Sequence, residues 1–346
     1  MTRSRITIRD VAARAGVSPG AVSMAVNNRP GLAEATRLRI RTAADELGWA
    51  PDGAARRLAV RRPGPAAIGL VITRPARHLG LEPFYMEFIS GIQTVLQQRG
   101  SSLLLRLVAD RTQETAVQRQ WWRGQQIAGS ILVDLVEDDP RVPVLSRLGI
   151  PLAAAGHPDL VGPGTAAVWT DDGAALQQTV RYLAMLGHRR IARVGGDPGL
   201  GHSAIRSRAL HRAAAELELP EPRDLTTDFS GDQGARATRT LLSAPPGSRP
   251  TAIVYDNDIM AVAGLAVATE MGLRVPADLS LVAWDDSQLC RLTHPALSAL
   301  SHDVHAFGAQ AAQRLFEVIE RRTPAARTAA TTPVLLPRGS TGPAPL

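Results

Sequence analysis

ITIRDVAARAGVSPGAVSMAVNNRPGLAEATRLRI, residues 6–40, carries five arginines against two acids and breaks into three short helical patterns. Thr7 opens a capping-box pattern with Asp10 three residues on, ahead of Val11, Ala12 and Ala15 at helical spacing. Gly16 ends that helix. Ser18 suits an N-cap and Pro19 a first helical position, so a second helix is predicted over about 19–26. The short turn around Gly16 has the helix-turn-helix spacing. A third helix over about 34–47 puts Ile40, Ala43, Ala44 and Leu47 on one face and Arg37, Arg39 and Arg41 elsewhere.

The charge of the chain is concentrated in the same region. Residues 1–62 hold 12 Arg and 5 acids, hence the whole net charge of +7, while the remainder balances 27 Arg against 27 acids. A basic segment beside a neutral body is the electrostatic footprint of phosphate binding, with a solvated basic face as the ordinary alternative. With 346 residues, 45% of them hydrophobic, the chain can bury a substantial core in two or three domains. There is no apolar run of about 18 residues, and no signal-like apolar region opens the sequence. Cys290 is the only cysteine, which leaves no intrachain disulfide or cysteine metal site. These features point to the cytoplasm, away from membranes, with no cofactor or metal.

Next comes GWAPDGAARRLAVRRPGPAA, residues 48–67. Pro51 stops the third helix, Asp52 can cap a short helix over about 53–59, and Pro63-Gly64-Pro65 marks a linker. So short a helix is marginal alone, because nucleation is costly. From Ala66 onward, short β-rich runs such as AAIGLVI (66–72), SLLLRLV (102–108), RIARVGG (190–196), TAIVYD (251–256) and LSLVAW (279–284) alternate with helical stretches. Alternating βα units imply a parallel sheet covered by helices, and two such series imply two lobes with a ligand cleft between them. The tail PRGSTGPAPL (337–346) reads as low-complexity and disordered.

These residues resemble the LacI/GalR family of transcriptional repressors over nearly the whole chain. The head and hinge carry the long pattern from Thr7 through Leu58; LGHRRIARVGG (186–196), VYDNDIMAVAGL (254–265), MGLRVPADLSLVAWDDS (271–287) and HPALSAL (294–300) follow in the family's order. The resemblance implies a three-helix DNA-binding domain (1–48), a hinge helix and linker (49–65), and a bilobed α/β core (66–337) of the type I periplasmic-binding-protein kind. Its N-lobe is expected at about 66–168 plus 300–322, its C-lobe at about 169–298 plus 323–337, and a disordered tail at 338–346. It further implies a homodimer that binds a pseudo-palindromic double-stranded DNA operator and responds to a small-molecule effector. Ala33 departs from the family's usual Ser at the start of the third helix, and AWDD (283–286) from its usual GFDD or GYDD.

By the same resemblance the second helix reads the major groove, where Pro19, Gly20 and Met24 occupy the base-reading positions. Pro19 and Gly20 cannot make bidentate contacts, which leaves base contact to Ser23, Met24, Asn27 or Asn28, with Ser18, Arg29, Arg57 and either Thr36 or Arg37 on phosphates and Thr7 a further DNA-binding candidate. Ser23 equally fits a bond to its own helix backbone, and Asn27 and Asn28 a turn-and-cap role. Leu58, among Arg56, Arg57, Arg61 and Arg62, is implied as a minor-groove wedge; packing against the body is the alternative.

For the cleft, the resemblance points to Arg206 in HSAIRSR, to Phe229 in TTDFSG, and to Phe84 and Tyr85 at the head of the first body helix. Asn257 and Asp285 directly follow predicted strands, at the carboxyl ends where α/β ligands bind. Arginine, carboxylate, amide and aromatic faces together suit the vicinal hydroxyls of a sugar, and also fit a purine or another small polar effector. Asp286 is split between a cap and a ligand contact, Asp258 is expected to cap a helix, and His188 to serve as a helix-end cation or cap. Trp121 and Trp122 are expected on a helix surface or at a subunit contact. No dinucleotide fingerprint, P-loop, zinc-protease helix or nucleophile elbow occurs, so no enzyme is expected. A free sugar-binding receptor of the same bilobed fold is the alternative function; the basic head argues against it.

Overall fold

The computed structural model describes residues 7–26, 31–47, 49, 67–74, 83–320 and 327–345. The chain divides into two compact units, Met1–Gly64 and Pro65–Leu346. In the first, α1 (Ile8–Ala15), α2 (Pro19–Val26) and α3 (Glu34–Glu46) enclose a small core of Val11, Ala12, Val22, Ala25, Ile40 and Ala43. The Thr7 amide and hydroxyl both donate to the Asp10 carboxylate at 2.7 Å, Gly16 adopts the left-handed conformation that ends α1, and Ser18 Oγ accepts from the Ala21 amide. The hinge helix expected over 53–59 lies outside the described residues.

The second unit holds two six-stranded sheets. The strands are β1 (Ala67–Thr73), β2 (Leu103–Val108), β3 (Ile127–Leu132), β4 (Leu152–Ala155), β5 (Ala166–Trp169), β6 (Ile191–Gly195), β7 (Arg223–Thr226), β8 (Ala252–Tyr255), β9 (Ser280–Trp284), β10 (Ser298–Ser301), β11 (Arg327–Ala329) and β12 (Val334–Leu336). The first sheet has the order β11-β5-β4-β3-β1-β2, all parallel; the second has β12-β10-β9-β8-β6-β7, with only β12 antiparallel. Strands such as AIGLVIT and SLVAW are buried on both faces, the reason they read as unbroken apolar runs rather than alternating ones.

Helices cover both sheets: α4 (Pro83–Gln98), α5 (Arg111–Arg123), α6 (Arg141–Arg147), α7 (Asp172–Met185), α8 (Gly201–Glu216), α9 (Gly231–Leu242), α10 (Asp258–Glu270), α11 (Gln288–Leu292) and α12 (Val304–Ile319). The chain crosses between lobes at 170–171, at 302–303 and at 330–333, because β5 lies in the first sheet and α7 packs on the second, β10 belongs to the second and α12 packs on the first, and β11 lies in the first and β12 in the second. α4 and α12 meet at glycines: a Cβ on Gly91 would lie 1.9 Å from the His305 carbonyl oxygen, and one on Gly308 2.1 Å from that of Phe88. Among the described residues no helix is long and apolar enough to cross a membrane.

Several expectations are corrected. β11 gives the first lobe a segment at 327–329 that was expected in the second, and residues 300–301, expected in the first, end β10 of the second sheet. The tail is ordered. Ser340 is fully buried, its hydroxyl donates to the Leu281 carbonyl and accepts from the Ser298 amide, and Gly342 joins Ser280 and His188. His188 is therefore a buried junction, bonded to Thr251 and Ser280 with its pKa lowered by burial, instead of a helix-end cation or cap. Its polar partners come from distant strands, which local sequence could not reveal. Trp121 packs in the core with Val71, Val108 and Ile127, and the Trp122 indole donates to the Leu148 carbonyl at 2.9 Å.

Candidate effector cavity and DNA-reading head

A cavity of about 1020 Å³, counted with its solvent-open mouth, lies between the two lobes. Its wall brings together Phe84, Tyr85, Arg206, Phe229, Asn257 and Asp285, which are far apart in sequence. Arg206, from α8, donates through Nε to Asp172 at 2.9 Å and through Nη1 to the Asp256 carbonyl at 3.2 Å. Its guanidinium carbon lies 3.5 Å from the centroid of the Trp284 ring. A planar cation held by a carboxylate edge-on and an indole face-on keeps one orientation toward the cavity. Beneath it Arg193 is shared between Asp256 and Asp224. Burial acts to raise the Asp256 carboxyl, but Arg193 and Arg206 outweigh it and hold it below the usual range.

Asp285 follows β9 with φ +66°, a left-handed conformation that aspartate tolerates better than most residues. Burial pushes its carboxyl up to about 8, with Asp258, Asp172 and Asp256 adding to the effect and Arg206 opposing it. Phe229, also left-handed at φ +67°, lies over Gly196, where a Cβ would run into its ring. From the opposite lobe Arg74 reaches to within 5.3 Å of the Phe229 ring centroid and pairs with Asp134 at 3.3 Å. Tyr85 donates to Asp134 at 2.8 Å, and Phe84 stacks on Phe88.

Asp134 is positioned from beneath by Arg141, which is 2% exposed. Its Nη1 bonds Glu114 at 2.7 and 2.8 Å, its Nη2 bonds Asp139 at 2.6 Å, and Nη2 also donates to the Val133 and Asp134 carbonyls. Asn257 lines the cavity, but its amide is committed. Oδ1 accepts from the Met260 amide and Nδ2 donates to the Phe229 carbonyl. Asn257 is the cap of α10, a role expected of Asp258. Asp286 caps nothing here; it pairs with Arg338 at 2.7 Å, and Ser287 caps α11. Sequence reading missed Asp172, His202, His302 and Arg74. Of these, Thr170 to Asp172 follow β5 at a lobe crossover, a position that would have flagged them.

In the head, Ser18, Pro19 and Gly20 are exposed at the start of α2, while Ser23 and Met24 are half-buried on it and Met24 Cε lies against Gly31. Thr7 is exposed; Thr36 and Arg37 are half-buried on α3, with Arg37 3.9 Å from Glu34. Asn27, Asn28, Arg29, Arg57 and Leu58 lie outside the described residues.

Residues 7–52 match the family of bacterial regulatory proteins of the lacI type, and residues 180–341 that of a periplasmic binding protein-like domain. The chain is 31% identical to the HTH-type transcriptional regulator CelR of Thermobifida fusca, over 93% of its own length and 94% of that protein's. The chain belongs to the LacI family. As a LacI-family chain it is a DNA-binding transcriptional regulator, and the reading as a receptor without a DNA-binding head falls away. Its fold is similar to that of a CelR–cellobiose complex, with TM-score 0.73, 28% identity and coverage of 97% of this chain and 100% of the other. The lac repressor dimer bound to operator and an anti-inducer gives TM-score 0.84 at 24% identity, over 98% and 100%, a likeness of fold.

Proposed function

We propose that this LacI-family regulator is a cytoplasmic homodimeric repressor, acting by binding and not by catalysis, whose hold on a pseudo-palindromic operator is set by a sugar in the inter-lobe cavity. The observation that carries the reading is Arg206, fixed on Trp284 and Asp172, facing Phe84 and Phe229 in one cavity of a chain that also bears a basic reading head. Fixed polar groups grip paired hydroxyls while aromatic faces cover the apolar side of a sugar ring. The cellobiose complex of a relative supports a sugar of this kind. Two heads per operator follow from affinity: one helix-turn-helix binds weakly, and pairing makes the second contact intramolecular.

In this reading Ser23 and Met24 contact bases, Thr7, Ser18, Thr36, Arg37, Arg29 and Arg57 serve phosphates, Asn27 and Asn28 adjoin them, and paired Leu58 side chains enter the minor groove. Pro19 and Gly20 carry little direct readout, so operator choice leans on Met24, Ser23 and DNA shape. The test is selection of bound sequences from random duplex DNA, followed by gel-shift titration with and without cellobiose. Recovery of a two-fold symmetric site whose occupancy changes with the sugar supports the proposal. Asymmetric sites, or no sugar effect from any of a broad panel, would overturn it.

A further inference from the structure

The charged groups around the cavity set a condition on what it can hold. Among the described lining residues the arginines are Arg74 and Arg206, and each already faces a carboxylate: Arg74 with Asp134 at 3.3 Å, Arg206 with Asp172 at 2.8 Å. The wall also carries Asp256, Asp258 and Asp285. Asp256 is met by Arg193, whose other partner is Asp224. Carboxyl groups therefore outnumber arginines at this face.

Besides Asp258 Oδ2, two buried atoms of the wall that lack a hydrogen-bond partner face each other, Asp285 Oδ1 and His302 Nδ1. They come from the carboxyl ends of adjacent parallel strands, β9 and β10, and stand 3.8 Å apart. The His302 side chain is 6% exposed, and its ring meets the edge of Phe307 in the same wall. Buried polar atoms left unpaired cost stability, so a close facing pair of them marks a place where a ligand group belongs.

Resting on the cavity being the effector site, we propose that His302 selects the effector: with Asp285 it receives a hydroxyl of an uncharged polyhydroxylated ligand and disfavours phosphorylated or carboxylated sugars. A hydroxyl can donate to one of the two atoms and accept from the other. A phosphate or carboxylate oxygen only accepts. It would leave one atom unmet and add negative charge beside Asp172 and Asp256, with both nearby arginines already paired. Burial lowers the His302 pKa below its ordinary value, which disfavours a compensating charge on the ring. His302 also lies in the crossover to α12, so the contact joins the ligand to a connection between lobes.

The test is isothermal titration of the full chain with matched sets: cellobiose and cellobionate, and glucose, glucuronate and glucose 6-phosphate. The expected result is that a neutral sugar binds and its charged counterparts bind at least about tenfold more weakly, a difference of about 1.4 kcal/mol. His302→Ala should weaken the neutral sugar by a similar factor and narrow the gap, and His302→Gln, which keeps a polar group, should recover part of it. Charged counterparts binding as well as neutral ones, or His302→Ala binding like the wild type, would overturn this inference while leaving the cavity as the effector site. Absence of binding across both sets would overturn the sugar reading and this inference with it.

Discussion

The guanidinium carbon of Arg206 lies 3.5 Å from the centroid of the Trp284 ring, so the last residue of β9 carries the cation that faces the cavity. The stack fixes the plane of the guanidinium, and Asp172 fixes its rotation in that plane.

Arg206→Ala strands the buried Asp172 carboxylate, and removing one partner of such a pair costs about 3–5 kcal/mol. Chemical denaturation should register that loss, and Asp172→Asn in the same chain should return part of it. The variant should still be retained on DNA-cellulose, yet its retention should no longer respond to the effector. A stability equal to wild type would count against the pair as described.

Asp285 gives a pH prediction with a definite sign. Its folded-state carboxyl is pushed up to about 8 by burial, so the stability it contributes is present below its ordinary range and is lost as pH rises toward 8. Arg206, Asp258, Asp172, Asp256 and His302 surround it. Asp285→Asn removes that loss, so its stability relative to wild type should grow by at least about 1 kcal/mol between pH 5 and pH 8. Parallel stability curves for the two proteins would refute it.

The α4–α12 contact allows no side chain at its two glycines. Gly91→Ala and Gly308→Ala each force backbone apart and should cost about 1–3 kcal/mol. Gly247, where an added Cβ would meet nothing within 4 Å, is the control, and Gly247→Ala should stay within about 0.5 kcal/mol of wild type. Thermal unfolding of the three variants checks the contrast.

Truncation after Leu336 removes Arg338, Ser340 and Gly342 and leaves Asp286, Ser298, Ser280 and His188 short of partners. Each orphaned group costs about 1–3 kcal/mol, so Tm should drop by at least about 10 °C. A truncated chain that melts with the full-length protein would show the tail to be dispensable.

Leu58→Ala tests the hinge, on the strength of its sequence setting. Discrimination between operator and random duplex should collapse while salt-sensitive binding to random DNA persists. Unchanged operator affinity in gel-shift titration would refute the wedge.

The parts of the fold legible in sequence were those with local causes. Capping at Thr7 and Asp10, the Gly16 stop and Pro19 fixed the head helices to within a residue or two, and unbroken apolar runs marked the central strands. The strands left unread, β5, β7, β10, β11 and β12, are only three or four residues long and lie toward the sheet edges, where pattern is weakest. In the cavity, Arg206, Phe229 and Asp285 were named because of resemblance or strand position. His302 and Asp172 act through distant partners, and Asn257 turned out to be bound to its own helix and to Phe229, contacts that only the folded chain creates.

The interleaving of the two lobes has a consequence for how this chain is born. β11 completes the first sheet and β12 the second, ahead of the stretch that threads through Ser298, Leu281 and Ser280. The first sheet lacks β11 until residues 327–329 have been made, after every strand of the second sheet but β12, so the first half cannot complete its sheet before most of the second has emerged. The two halves of the sensor mature together.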